Sequence, residues 1–197
     1  DLQNHKNGRG IPLGDVMDYR EEIITVRFDS EMLKGFSGYD VNNPEAYFKA
    51  HPRAKKPPQD GLHKKKRTGL IPSINTFLNC NDRVLQNEME QHLKRYCEYC
   101  MDKQGIKHDF ITECVILVVQ FKPTRTKSDV NNVYTKPFID AMVERELIKE
   151  DNYTVVRLHM EFAGVDKTDP HSEIRIYPIT DEFDFMCATT TMMNDII

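Results

Sequence analysis

The stretch that most constrains this chain is Val115-Ile116-Leu117-Val118-Val119, an aliphatic run in which four of the five residues are β-branched. Branching at Cβ limits side-chain rotamers in a helix and suits a pleated sheet. No polar residue alternates with the apolar ones, so the run predicts a strand over Phe110–Phe121 that is buried on both faces. Such a strand needs cover on both sides, and hence a domain around it. It falls far short of the roughly 20 apolar residues of a membrane span, so no membrane partner is expected. With 197 residues, 39% of them hydrophobic, the chain is long enough for one domain with its own core. It is too apolar for a wholly disordered chain.

Other periodicities surround this strand. Ile24, Val26 and Phe28 alternate within Glu22–Phe28, which predicts a half-buried strand. Val84, Leu85, Met89, His92, Leu93, Tyr96 and Cys100 recur at helical spacing. They predict a helix capped by Asn79 or Asn81, running to about Lys103 and closed by Gly105. A second helix is expected over roughly Tyr134–Leu147. Pro137 belongs in its first turn, where its missing N–H costs nothing, so the start is placed near Val133 or Tyr134. Thr154–Phe162 and Ser172–Ile179 read as two more strands joined by a polar turn. Leu70–Leu78 reads as a short edge strand, with a short helix at Pro44–Ala50. The expected fold is a single α+β domain over residues 21–179, a mixed β-sheet with two main helices packed on it. Residues 1–20 form an arm, 30–69 a long irregular basic insertion, and 180–197 a Thr/Met-rich tail without a pattern.

Charge is unevenly spread. The chain carries a net −4, yet Lys49–Arg67 holds eight basic residues and one acid, Asp60. A compact basic segment on an acidic body is an electrostatic footprint for a polyanion, although an isolated run of this kind is more often a solvated loop. The five cysteines are irregularly spaced and odd in number, which predicts a reducing, intracellular setting and no disulfide framework. Asp1–Gly10 is polar and lacks the apolar core of a secretory signal, so a cytoplasmic location is expected. Cys97-x-x-Cys100 has no second ligand pair for zinc and falls inside a predicted helix, which is the wrong setting for a redox motif. His108 and His171 are placed in turns and given no role.

The chemistry is concentrated in Ser128-Asp129-Val130-Asn131-Asn132-Val133-Tyr134-Thr135-Lys136 and in Glu150-Asp151. Asp129 follows the buried strand and Asp151 precedes the next one. If those strands are neighbours, Asp129, Asn131 and Asp151 can converge, and an oxygen cluster completed by water is how proteins hold Mg²⁺. Taken singly, each acid reads more simply as a loop cap.

These residues resemble the RusA family of Holliday-junction resolvases, whose signature is D-x-D-N-x-x-K, a short helix with a further Asp, and an acidic pair about eleven residues beyond it. Lys136, Asp140 and Glu150-Asp151 match those positions, and the strand order over 110–179 agrees. Two departures stand out. Asn131 replaces the second Asp, and one extra residue lies between Asn132 and Lys136. A register that puts Asn132 in the second-Asp position would lose Asp129, so the register retaining Asp129 is preferred.

The resemblance implies a metal-dependent endonuclease acting as a homodimer on branched DNA in recombination and repair, phage-related in origin. Asp129, Asn131 and Asp151 would hold Mg²⁺ or Mn²⁺, and Lys136 would meet the phosphate. Lys64, Lys65, Lys66, Arg67, Arg125 and Lys127 are the expected DNA contacts. The bland reading of Lys136 is an i, i+4 surface pair with Asp140. Losing a carboxylate weakens a cation site. Asn131 is therefore a tolerated ligand, the mark of a non-cleaving DNA-binding descendant, or an introduced change. A rival of another class is an interaction protein whose basic loop binds an acidic partner.

Overall fold

The computed structural model describes residues 23–36, 71–79, 82–107, 109–125, 132–179 and 182–194. In chain order the elements are β1 (Ile24–Phe28), α1 (Ser30–Gly35), α2 (Ile74–Leu78), α3 (Arg83–Lys103), β2 (Cys114–Lys122), α4 (Lys136–Glu144), β3 (Val156–Val165), β4 (His171–Pro178) and α5 (Glu182–Asn194). They form an α+β arrangement around one mixed four-stranded sheet, ordered β1-β4-β2-β3.

β2 is central, antiparallel to β4 and parallel to β3. Its aliphatic run is buried on both faces, as expected. Cys114, Ile116 and Val118 join α3, α4 and β1 in the larger core, whereas Val115, Leu117 and Val119 join Tyr177, Ala188 and Met192 in a smaller one. The strand itself begins at Cys114 rather than Phe110. Ile111 stays outside it, bridged to Ile148, and Phe110 has a positive φ of 47°.

β1 pairs antiparallel with β4, and Val26 and Phe28 enter the larger core. This edge strand is partly covered. The Gln104 amide accepts from the Arg27 N–H and donates to the Arg27 carbonyl, both at 2.9 Å. Backbone groups at an edge otherwise invite pairing with another chain.

The long helix is real and runs Arg83–Lys103, with Asp82 rather than Asn79 at its start. The Asp82 carboxylate accepts from the Val84 N–H at 2.8 Å, meeting one of the donors a helix start leaves without a partner. At the other end Gly105 takes φ +67° while Ile106 N–H donates to Met101 C=O and Gly105 N–H to Asp102 C=O, a Schellman closure.

Several expectations need correction. Leu70–Leu78 is not an edge strand: Ser73 makes one isolated bridge to Val133 and then caps α2. The stretch after Phe28 is not irregular from its start, because the Asp29 carboxylate accepts from Glu31 and Met32 N–H groups and opens α1. α4 starts at Lys136, later than Val133 or Tyr134, with Pro137 inside its first turn. His171 is not in a turn but is the buried first residue of β4. Ile179 falls on the opposite side from Ile174 and Ile176, in the smaller core. Residues 182–194 are not patternless. They form α5, which lays Phe185, Ala188 and Met192 on the second face of the sheet at helical spacing. The expected helix at Pro44–Ala50, Asn81 as a cap, and His108 lie outside the described residues.

Candidate functional site

The site is framed by a relay of hydrogen bonds that starts in the sheet. Gln120 on β2 and Ser172 on β4 are opposite each other in register, and both are buried. The Gln120 amide donates to Ile71 C=O at 2.8 Å, and the Ser172 hydroxyl accepts from Ile71 N–H at 3.0 Å. Both backbone groups of one residue are thus met by side chains. An unmet buried group would cost about 1–3 kcal/mol.

From Ile71 the relay passes to the loop before α4. Tyr134 N–H donates to Pro72 C=O at 2.7 Å, and Ile74 N–H to Asn132 C=O at 3.2 Å. The Ser73 hydroxyl accepts from Asn75 N–H, which leaves its proton for Asn132 Oδ1 at 2.6 Å. Tyr134 stacks on Phe77 with ring centroids 4.5 Å apart, and its hydroxyl donates to Glu90. Burial, then the Glu90 carboxylate, pushes the Tyr134 phenol upward, so it stays protonated. Asn132 is therefore a structural tie whose amide oxygen is engaged with Ser73.

Past this tie the chain enters α4. Lys136 is its first residue, 63% exposed, with Nζ 3.0 Å from Asp140 Oδ1 and 3.5 Å from Asp151 Oδ2. The hydrogen bond to Asp140 holds the Lys136 ammonium above its ordinary range, so it is a fixed positive charge at neutral pH. Asp151 is half-exposed in the turn that leads into β3, and its Oδ1 has no hydrogen-bond partner among the described residues. β2 and β3 are parallel neighbours, the condition set for convergence of the acids that flank them.

Of the residues singled out in the sequence, Lys136 and Asp151 are brought together and Arg125 lies exposed just past β2. Asp129, Asn131, Lys127 and Lys64, Lys65, Lys66 and Arg67 lie outside the described residues. Among the described residues no three His, Cys, Asp or Glu side chains gather as a metal site. A half-exposed carboxylate with an open oxygen is nevertheless the donor chemistry of a hard divalent cation.

The sequence reading missed Gln120 and Ser172. Gln120 and Ser172 had a readable signal, since each continues the core-facing parity of its strand, 116-118-120 and 172-174-176. A polar residue at a core position needs a partner. The comparisons return no family model that matches the chain and no curated protein that resembles it. No helix among the described residues is long and apolar enough to cross a membrane.

Proposed function

We propose that this protein is a structure-specific endonuclease that nicks branched DNA, of the RusA type, working as a homodimer in the cytoplasm of a bacterial or phage-infected cell. The observation that carries this reading is the meeting of Lys136 and Asp151, fifteen residues apart, in a 3.5 Å ion pair at the start of α4. A fixed ammonium beside an open carboxylate suits phosphodiester chemistry: the cation offsets charge that develops on phosphate, and the carboxylate supplies a metal-binding oxygen.

Asp129, Asn131 and Asp151 are the residues that would hold Mg²⁺ or Mn²⁺. Such an ion, when bound, activates water and stabilises charge on the reacting phosphate. The engagement of Asn132 with Ser73 supports the register in which Asn131 is the ligand. Lys64, Lys65, Lys66, Arg67, Arg125 and Lys127 supply phosphate contacts, so binding should weaken steeply with salt. In sequence the basic run ends close to that frame, Arg67 being four residues before the pinned Ile71.

Asn131 favours one alternative specifically, a protein of the same fold that holds branched DNA without cutting it. The deciding experiment is nicking of a labelled four-way junction in Mg²⁺ or Mn²⁺, comparing the chain with Asn131→Asp. Cutting by both, abolished by Asp151→Asn, supports the enzyme with Asn131 as a working ligand. Cutting by Asn131→Asp alone identifies Asn131 as the silencing residue. Tight junction binding with no cutting by either supports the binding protein, and no preference for junction over duplex at equal salt removes both readings.

A further inference from the structure

Lys94 belongs to no motif, yet it stands one ion pair away from Lys136. Only 14% of its side chain is exposed where it leaves α3, and Nζ lies 2.5 Å from Glu144 Oε1 and 3.5 Å from Asp140 Oδ2. The other Asp140 oxygen, Oδ1, takes Lys136 at 3.0 Å. Charges therefore alternate in a row across α3, α4 and the turn before β3: Glu144, Lys94, Asp140, Lys136, Asp151. A carboxylate one helical turn from a lysine is free to turn both oxygens onto it. Asp140 is not, since one of its oxygens is engaged from α3.

We propose that Lys94 is a positioning residue: by occupying one oxygen of Asp140 it stops Lys136 from closing onto that carboxylate and keeps the Lys136 ammonium shared with Asp151. The consequence for catalysis rests on the nuclease reading, whereas the placement of Lys136 does not. The competing account is that Lys94 merely tethers α3 to α4 through Glu144. That account leaves the balance of Lys136 between its two carboxylates untouched when Lys94 is lost.

The first test follows the isotope-labelled Lys136 ammonium by NMR in the full chain, assigned by its loss in Lys136→Arg. Asp151→Asn should move this signal in the native background and leave it still in Lys94→Met, with Lys94→Arg restoring the response. An equal response with and without Lys94 overturns the proposal. If Lys94→Met fails to fold, Lys94→Gln gives the same readout. The second test uses whichever form of the chain cuts junctions. Lys94→Met should slow single-turnover nicking roughly three- to five-fold, the scale of a partly exposed ion pair, with junction affinity unchanged and Lys94→Arg near native. Unchanged nicking by Lys94→Met overturns the catalytic consequence. If no form cuts, the nuclease reading falls and the ammonium measurement alone decides the role of Lys94.

Discussion

Alternate residues of β2 look onto two different neighbourhoods. Ile116 and Val118 face α3 and α4 in a core that also holds Phe28, Tyr96, Phe138 and Met142. Val115, Leu117 and Val119, equally aliphatic and on the same strand, face α5, which contributes Ala188 and Met192. The first face also continues into polar residues with assigned partners, Gln120 and Ser172, and through them into the frame of Lys136. The difference teaches where rigidity is spent. Both faces bury aromatic rings, but the face that carries the candidate site is packed by two helices and pinned through Gln120 and Ser172, whereas among the described residues one helix, α5, covers the other.

The comparison can be broken with paired truncations. Phe138 meets Phe28 edge to face at 5.0 Å inside the larger core, and Phe138→Ala should cost about 3–5 kcal/mol in urea unfolding. Met192→Ala on the other face should fall near the lower end of the ~2–5 kcal/mol range for such truncations. Equal losses would mean that the two faces are equally committed. Gln120→Leu sharpens the link between core and site. It strips the partner from a buried carbonyl and should cost about 1–3 kcal/mol, and junction nicking should fall by more than Met192→Ala reduces it.

Smaller effects map the edges of the site-bearing face. Gly105→Ala forces a side chain into φ +67° and should lower stability by about 1–2 kcal/mol, read from the unfolding midpoint. Asp29 provides the mildest test. Burial acts to raise its pKa, but the Met32 N–H, the Arg27 side chain and the Glu31 N–H together hold it below the ordinary 3.8. Its contribution is therefore complete above 3.8 and lost as pH falls toward the depressed folded value. Asp29→Ala should remove about 1 kcal/mol at neutral pH and flatten that part of the acid-unfolding curve.

Much of this architecture was legible before any coordinates. An unbroken aliphatic run announced β2, the alternation of Ile24, Val26 and Phe28 announced β1, and a seven-residue helical repeat announced α3. The misreadings have physical causes. α5 hid because Thr189, Thr190 and Thr191 have weak helix propensity, and the residues seen to join the smaller core, Phe185, Ala188 and Met192, are scattered among polar ones. Leu70–Leu78 looked like a strand because its apolar content is real, but the backbone groups of Ile71 bond to side chains, Ser73 makes a single bridge, and Ile74–Leu78 coils into α2. In the site, Lys136 entered through the resemblance to the RusA family, and Asp151 through its place between two strands together with that resemblance. Lys94 could not be found in either way, because its meaning depends on a carboxylate forty-six residues away that no local pattern connects to it.

The pairing of β1 with β4 has a consequence for the order in which the molecule is made. Ile24 is matched to Ile176, so β1 waits for its partner β4 until about 150 further residues have been made. At about 5–20 residues per second, the roughly 150 intervening residues leave Ile24–Phe28 waiting on the order of 10–30 s. During that interval Val26 and Phe28 have no sheet to enter, and an unpaired apolar strand is a template for mispairing. Closure of the sheet at β1 is thus a late event, and the helper this protein needs most during synthesis is one that shields Ile24–Phe28.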